Sequence, residues 1–377
     1  MPSADPPHDA SLDTSNSVKL LHVVGARPNF PKLAPVMRAA VASGVEQVVV
    51  HTGQHYDDAM SGDFFRDLGI TPPDVNLEVG SATQAVQTAR ILDRIEPVLV
   101  AENPDWLVVY GDVTSTMAAA IAAAKLGVRV AHVEAGLRSF DRTMPEEVNR
   151  IVTDRLADLL LTPSRDADEQ LRREGEPEEE IAFVGNVMID SLFYALPAAR
   201  ATGFLASLGV ARSPIVVTLH RPSNVDDPDR LRVLADALES AAAERDVIFP
   251  AHPRTQSRLR EAGIAFRRVR LLGPVGYHEM LDLVDRAHVV VTDSGGLQEE
   301  TTALGVPCLT VRPNTERPIT ISEGTNTLVS NPADVAAQIA RAKRPAVPRR
   351  PEGWDGRAGE RVVKALAARR AALQDRR

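Results

Sequence analysis

The 377-residue chain has one cysteine, Cys308, which excludes an intrachain disulfide and any metal centre built on clustered thiolates. No run of about 18 apolar residues is present that could cross a bilayer. A basic excess is also lacking. Acidic residues number 51 against 43 basic ones, a net charge of -8, which argues against nucleic acid as the main partner. Several nucleotide signatures are missing too. There is no Gly-x-Gly pair and so no dinucleotide fingerprint, no Gly-Lys dipeptide and so no P-loop, and no Tyr-x-x-x-Lys pair of the nicotinamide-dependent sugar enzymes. His-Glu-x-x-His is absent, and the Asp-x-Asp matches at Asp166 and Asp227 read as helix caps, so neither a metal nor another cofactor is indicated. A lone thiol fits a reducing, cytoplasmic location. Residues 1–17 carry Pro, Ser and Asp but neither a basic start nor an apolar stretch, so they read as a disordered leader and not as a signal peptide.

What is present is an alternation of short β-rich runs with longer helical patterns, the mark of βαβ units around parallel sheets. The spacing predicts strands over 20–24, 47–51, 106–110, 128–132, 159–161 and 182–184, then over 215–219, 247–250, 269–272, 289–292 and 308–311. Between the two sets, a helical stretch from Val187 meets Pro197 and a looser Ala/Gly segment to Arg212. The expected architecture is therefore α/β, with two doubly wound Rossmann-like domains, residues 18–195 and 205–345, facing a deep cleft. The basic segment at 355–377 keeps an apolar stripe at Val362, Leu366 and Leu373 and reads as a terminal helix that packs back on the first domain.

Ligands of open parallel sheets sit beyond the carboxyl ends of the strands. The residues there are unusually polar. In Asp293-Ser294-Gly295-Gly296-Leu-Gln-Glu299-Glu300, a strand gives way to a helix whose free N–H groups could hold a diphosphate, although Asp or Ser before Gly also starts helices that bind nothing. An acid one turn into that helix suits a ribose diol. His252-Pro-Arg254 and Arg317 add donors on the same edge. In the first half, Asp112 and Glu134 each follow an apolar strand, and Glu146 and Glu147 follow Pro145 at a helix start, where one of them serves the helix dipole. Several carboxylates near one cleft, with His220 opposite, form a set for proton transfer in both directions. Arg27, Arg138 and Arg150 either pair with these acids or contact substrate. His22 and His132 lie inside strand patterns and read as core histidines.

Taken in order, these motifs resemble the non-hydrolysing UDP-N-acetylglucosamine 2-epimerases, a family with the B-type glycosyltransferase fold. The resemblance runs from about Lys19 to Val329. It rests on Gly25-Ala-Arg27-Pro with Lys32, His51-Thr-Gly-Gln-His55, Tyr110-Gly-Asp112, His132-Val-Glu134-Ala-Gly-Leu-Arg138, Pro145-Glu146-Glu-Val-Asn-Arg150, Leu219-His220-Arg221, His252-Pro, the Asp293–Glu300 segment and Thr315-Glu-Arg317-Pro. It implies catalytic positions at Asp112, Glu134, Glu146 and His220. Substrate or UDP contacts are implied at Arg27, Lys32, Arg138, His252, Ser294, Gly295, Gly296, Glu300 and Arg317. A UDP-sugar substrate, a homodimer and no cofactor or metal are implied as well. Pro222-Ser-Asn224 after Arg221 departs from one large branch, which has Arg-Glu there. Asp57 and Ser81-Ala-Thr83 do not match the activating second substrate site of some bacterial members. The stretches 54–70 and 138–150 also look like the branch that acts on UDP-2,3-diacetamido-glucuronic acid. A B-type glycosyltransferase would share the UDP site but need an acceptor.

Overall fold

The computed structural model describes residues 18–53 and 67–374, the side chains of Arg27 and of 372–374 excepted. The leader 1–17, most of the 54–70 stretch including Asp57, and the Arg27 side chain thus lie outside the described residues. Strands β1 (Lys19–Val24), β2 (Glu46–His51), β3 (Val75–Asn76), β4 (Trp106–Tyr110), β5 (Arg129–Val133), β6 (Leu159–Thr162) and β7 (Ile181–Phe183) form one sheet in the order β3-β2-β1-β4-β5-β6-β7. The second sheet holds β8 (Ile215–Thr218), β9 (Val247–Pro250), β10 (Arg270–Leu272), β11 (Val289–Thr292), β12 (Cys308–Thr310) and β13 (Asn326–Leu328) in the order β10-β9-β8-β11-β12-β13. Every described strand pair is parallel. In both sheets the order reverses beside the first strand, between β1 and β4 and between β8 and β11, which is where such folds open a crevice.

Alternate residues of each strand enter different cores, as a period of two requires. Leu20, Val24, Trp106, Val108 and Tyr110 pack on one face of the first sheet, and Leu21, Val23, Leu107 and Val109 on the other. Ile215, Val217, Val289 and Val291 face one side of the second sheet, and Val216 and Val290 the opposite side. Helices cover both faces, so these strands can be nearly all apolar. Among the described residues no helix is long and apolar enough to cross a membrane.

Eleven of the strands occur where the hydrophobic pattern predicts them, to within a residue or two. The pattern misses β3 and β13, edge strands with one apolar residue each, whereas the similarly short β7, β10 and β12 carry two or three. The stretch from Val187 differs more: its helix, Val187–Thr202, runs straight through Pro197. Burial of Ile189, Leu192, Ala195, Leu196 and Ala199 against the second sheet offsets the roughly 3 kcal/mol that an internal proline costs.

The chain crosses between the two sheets a second time. Trp354 packs in the second sheet's core, while Ala358, Val362, Val363 and Leu366 of helix Ala358–Gln374 pack in that of the first. The crossings touch. A Cβ placed on Gly185 would lie 2.1 Å from the Gly353 carbonyl oxygen, and both glycines have positive φ, 83° and 72°. The Asp190 carboxylate accepts from Ala358 N at 3.1 Å and Gly359 N at 2.8 Å, tying the first crossing to the second.

Candidate active site

The turn after β1 is shaped by Asn29. Its Oδ1 accepts from Gly25 N and Ala26 N, both at 3.2 Å, and its Nδ2 donates to Tyr110 O at 2.8 Å, fastening the β1 turn to the end of β4. That places Lys32, from helix Phe30–Ala42, over the turn that carries Asp112; a Cβ on Gly111 would sit 2.4 Å from Lys32 Nζ. Glu134 follows β5 with φ of 74°, a left-handed conformation that costs a non-glycine residue of order 1–3 kcal/mol and tends to be kept where function needs it. Its carboxylate, only 7% exposed, meets Lys32 Nζ at 2.5 Å and Arg317 Nη2 at 3.1 Å.

Arg317, in the loop after β12, joins the two sheets. Its guanidinium also reaches Glu299 at 3.0 Å and Glu316 at 2.5 Å, and Asn186 donates to Glu299 at 2.9 Å from the end of β7. Arg312 meets Glu316 at 3.0 Å. Burial pushes the Glu316 carboxyl up, but Arg317 and Arg312 outweigh it and leave it well below its ordinary value. For Glu299 burial prevails over Arg317, with Glu134 adding to it, and the carboxyl is raised. A Cβ on Gly295 would fall 2.7 Å from Arg317 Nη1, so a larger residue at the start of helix Gly295–Leu304 would displace this guanidinium from Glu316.

Asp112 is ion-paired with Arg150, which also pairs with Glu147. Burial raises the Asp112 carboxyl, but Arg150, Lys32 and Arg317 together hold it below its usual 3.8. The two acids after Pro145 divide their work. Glu147 is buried and accepts from Ser139 N at 2.8 Å, Ser139 Oγ at 2.9 Å and Phe140 N at 2.9 Å, whereas Glu146 is exposed and acts electrostatically on Arg221 across the cleft. On the other side, His220 Nδ1 lies 2.9 Å from Asp293 Oδ1. Ser294 is the N-cap of Gly295–Leu304 without a side-chain cap bond, and its N–H is bound to Thr292 Oγ1 at 3.0 Å; Gly296 follows within the first turn. Glu300 receives the Tyr277 hydroxyl at 3.3 Å, and burial pushes its carboxyl up to about 7. His252 caps helix Pro253–Glu261 through Arg254 N at 3.3 Å.

Arg138 takes the pairing alternative, with acids other than the ones singled out in the sequence. Its guanidinium is buried between Asp154, at 2.7 Å, and Glu174, held by two bonds of 2.8 and 2.6 Å, so it is consumed inside the first sheet's surroundings and not brought to the cluster. His132 and His22 are buried, as expected for strand histidines: His132 contacts Asp154 at 2.6 Å and Gly111 O at 2.8 Å. Sequence reasoning did not single out Asn186, Arg312 or Glu316. Only Glu316 had a visible signal, lying inside the Thr315-Glu-Arg317-Pro motif.

Two parallel sheets that present carboxylates from one edge and a glycine-led helix start, a histidine and arginines from the other define an α/β enzyme of the B-type glycosyltransferase fold. The sequence profile of the UDP-N-acetylglucosamine 2-epimerase family matches residues 38–367. A UDP-N-acetylglucosamine 2-epimerase of Methanocaldococcus jannaschii is 39% identical over 368 residues, covering 93% of this chain and 99% of that one. A UDP-2,3-diacetamido-2,3-dideoxy-D-glucuronate 2-epimerase of Pseudomonas aeruginosa is 42% identical over 329 residues, covering 86% and 92%. The crystal structure of Methanocaldococcus jannaschii UDP-GlcNAc 2-epimerase in complex with UDP-GlcNAc and UDP superposes with a TM-score of 0.84 at 38% identity, covering 93% of this chain and all of that one. The chain belongs to the UDP-N-acetylglucosamine 2-epimerase family.

Proposed function

We propose that the enzyme interconverts UDP-GlcNAc and UDP-ManNAc by eliminating UDP to a bound glycal and adding it back. The observation that carries this is the Lys32–Glu134–Arg317–Glu299 cluster, which sets first-sheet carboxylates against the second sheet's helix start. C2 of an N-acetylhexosamine has no adjacent carbonyl, so its proton is removable only as the C1–O bond breaks. UDP then leaves with the bonding electrons, its charge met by the N–H groups at Gly295 and Gly296 and by Arg317, while His220 assists the phosphate. A carboxylate takes the C2 proton and the C1=C2 bond forms; return of the proton on the opposite face with re-addition of UDP gives the epimer. Asp112 with Glu134 or Glu146 are the groups for these transfers, and Arg27, Lys32, His252 and Ser294 contact the substrate. The same reading includes a cytoplasmic homodimer serving polysaccharide biosynthesis, supported by family membership.

Incubation with UDP-GlcNAc in deuterated water, without acceptor, nicotinamide or metal, is expected to place deuterium at C2 of both sugars by NMR. Transfer to an acceptor with no C2 exchange in its absence overturns the reading in favour of a glycosyltransferase. The relative at 42% identity supports a second reading, epimerisation of UDP-2,3-diacetamido-glucuronic acid. Running the exchange with each sugar nucleotide separates them, since the true substrate exchanges faster.

Within this proposal Glu300 binds the ribose hydroxyls. Glu300→Ala is expected to weaken UDP binding by roughly 1–3 kcal/mol, the cost of leaving a buried hydrogen-bonding group without its partner. Calorimetry that finds unchanged affinity in the folded variant removes Glu300 from the ribose site.

A further inference from the structure

His220 and Asp293 follow β8 and β11, neighbouring strands whose register pairs Thr218 with Thr292. The hydroxyls of those threonines are 2.7 Å apart, so the two loops leave the sheet side by side at the place where its strand order reverses. Asp293 is fully buried, yet both its oxygens are in use. They accept from His220 N, both at 3.1 Å, from Arg221 N at 3.0 Å and from Asn224 Nδ2 at 3.0 Å, and Oδ1 faces His220 Nδ1 at 2.9 Å. Burial raises the Asp293 carboxyl, but the His220 ring, Asn224 and the Arg221 N–H outweigh it and leave the group below its ordinary value. An ionised carboxylate only accepts, so the ring nitrogen facing it carries a proton. The opposite nitrogen, Nε2, belongs to a side chain that is 49% exposed.

We propose that Asp293 is a positioning residue for the reaction, fixing the His220 ring with Nδ1 protonated and Nε2 presented to the departing phosphate. This rests on the reading of His220 as the group that assists UDP departure. The arrangement has a second effect. Ser294, next in the chain, opens the helix whose N–H groups receive the diphosphate, so one buried carboxylate sets both the ring and the helix start from a single point. A neutral ring held this way accepts at Nε2; a protonated one donates there, with its charge balanced by Asp293. Such a group can donate to a phosphate oxygen as UDP leaves. Other charged groups nearby include Arg221, whose Nε donates to Asp293 O at 3.1 Å, Glu146, which acts on Arg221, Arg230, whose Nε donates to Asn224 Oδ1 at 2.9 Å, and Glu316, 4.0 Å from Arg221 and itself paired with Arg312 and Arg317.

The first test uses the unaltered full-length enzyme. Two-bond 15N–1H correlation of the His220 ring, assigned with a His220→Ala sample, is expected to show the Nδ1–H tautomer in the neutral state; the Nε2–H tautomer overturns the proposal. Asp293→Asn keeps the shape and part of the acceptor set. Its kcat for C2 exchange is expected to fall about 10- to 100-fold, with KM and UDP affinity within about threefold of the parent. In a His220→Ala background the same substitution should change kcat less than about twofold, because the two act as one unit. Multiplying effects, or a loss confined to UDP binding, mean that Asp293 only braces the loop. If Asp293→Asn does not fold, the tautomer alone decides. A His220→Ala enzyme with normal turnover overturns the role given to His220, whereas the wrong tautomer with an inactive His220→Ala overturns only the role of Asp293.

Discussion

Replacing Asp112 by asparagine is expected to lower turnover by at least about 100-fold and to leave UDP affinity nearly unchanged. Asp112 stands at the carboxyl end of β4, at the first sheet's crevice, with a side chain still 26% exposed to the cleft. Asparagine keeps its shape and one acceptor for Arg150, and Arg150 retains Glu147, so the local structure should survive. What is lost is a negative charge. Because Arg150, Lys32 and Arg317 outweigh burial and hold this carboxyl low, it is ionised at neutral pH, and in the proposed elimination it would balance the positive charge that develops at C1 or take the C2 proton. Deuterium uptake at C2 and calorimetric titration with UDP measure the two effects separately. A variant that keeps its turnover but loses UDP binding or unfolds would make Asp112 a structural partner of Arg150 and move proton transfer to Glu134 or Glu146.

Arg317→Met should show the largest loss of stability, about 3–5 kcal/mol by urea denaturation at pH 8, together with loss of measurable UDP binding. The guanidinium serves three buried carboxylates. Glu134 keeps Lys32 and Glu316 keeps Arg312, but Glu299 is left with Asn186 alone. Glu299 is already raised by burial, and without Arg317 it rises further. A folded-state carboxyl above its unfolded value of 4.5 retains a proton that the unfolded chain releases, so stability falls as pH rises through that window. The deficit of the variant should therefore be small near pH 5 and grow towards pH 8. A deficit independent of pH would mean that Arg317 contributes by packing and not by charge.

The sheets were legible because strands buried on both faces are nearly continuous in Val, Ile and Leu, and because polar clusters mark where each strand ends. Asp112, Glu134, His220 and Ser294 could be located by that rule alone, each lying one or two residues beyond a strand. Arg138 could not be assigned this way. Whether a guanidinium after a strand turns to the cleft or inward depends on Asp154 and Glu174, which lie 16 and 36 residues further along the chain. The Glu146-Glu147 pair shows the same limit: sequence says that one acid serves the helix start, and only the Ser139 and Phe140 N–H groups select Glu147. Glu299 and Glu300 are adjacent, yet a helix turns successive side chains by about 100°, sending one to Arg317 and the other to Tyr277.

The two crossings that meet at Gly185 and Gly353 bear on how the halves of the molecule can move. Bodies tethered by one strand of chain can swing, twist and separate, as on a ball joint. With two tethers touching and stitched by Asp190, twisting would shear the contact and separation would break it. One freedom survives, rotation about the line through the contact, as for a door on its pins. Arg317 and Glu134 lie close to that line, because Asn186, one residue from Gly185, donates to Glu299 and Glu299 meets Arg317, so such a rotation moves them through a short arc while the crossings stay still. The acids, the histidine and the helix start would then part and meet again in the same register each time.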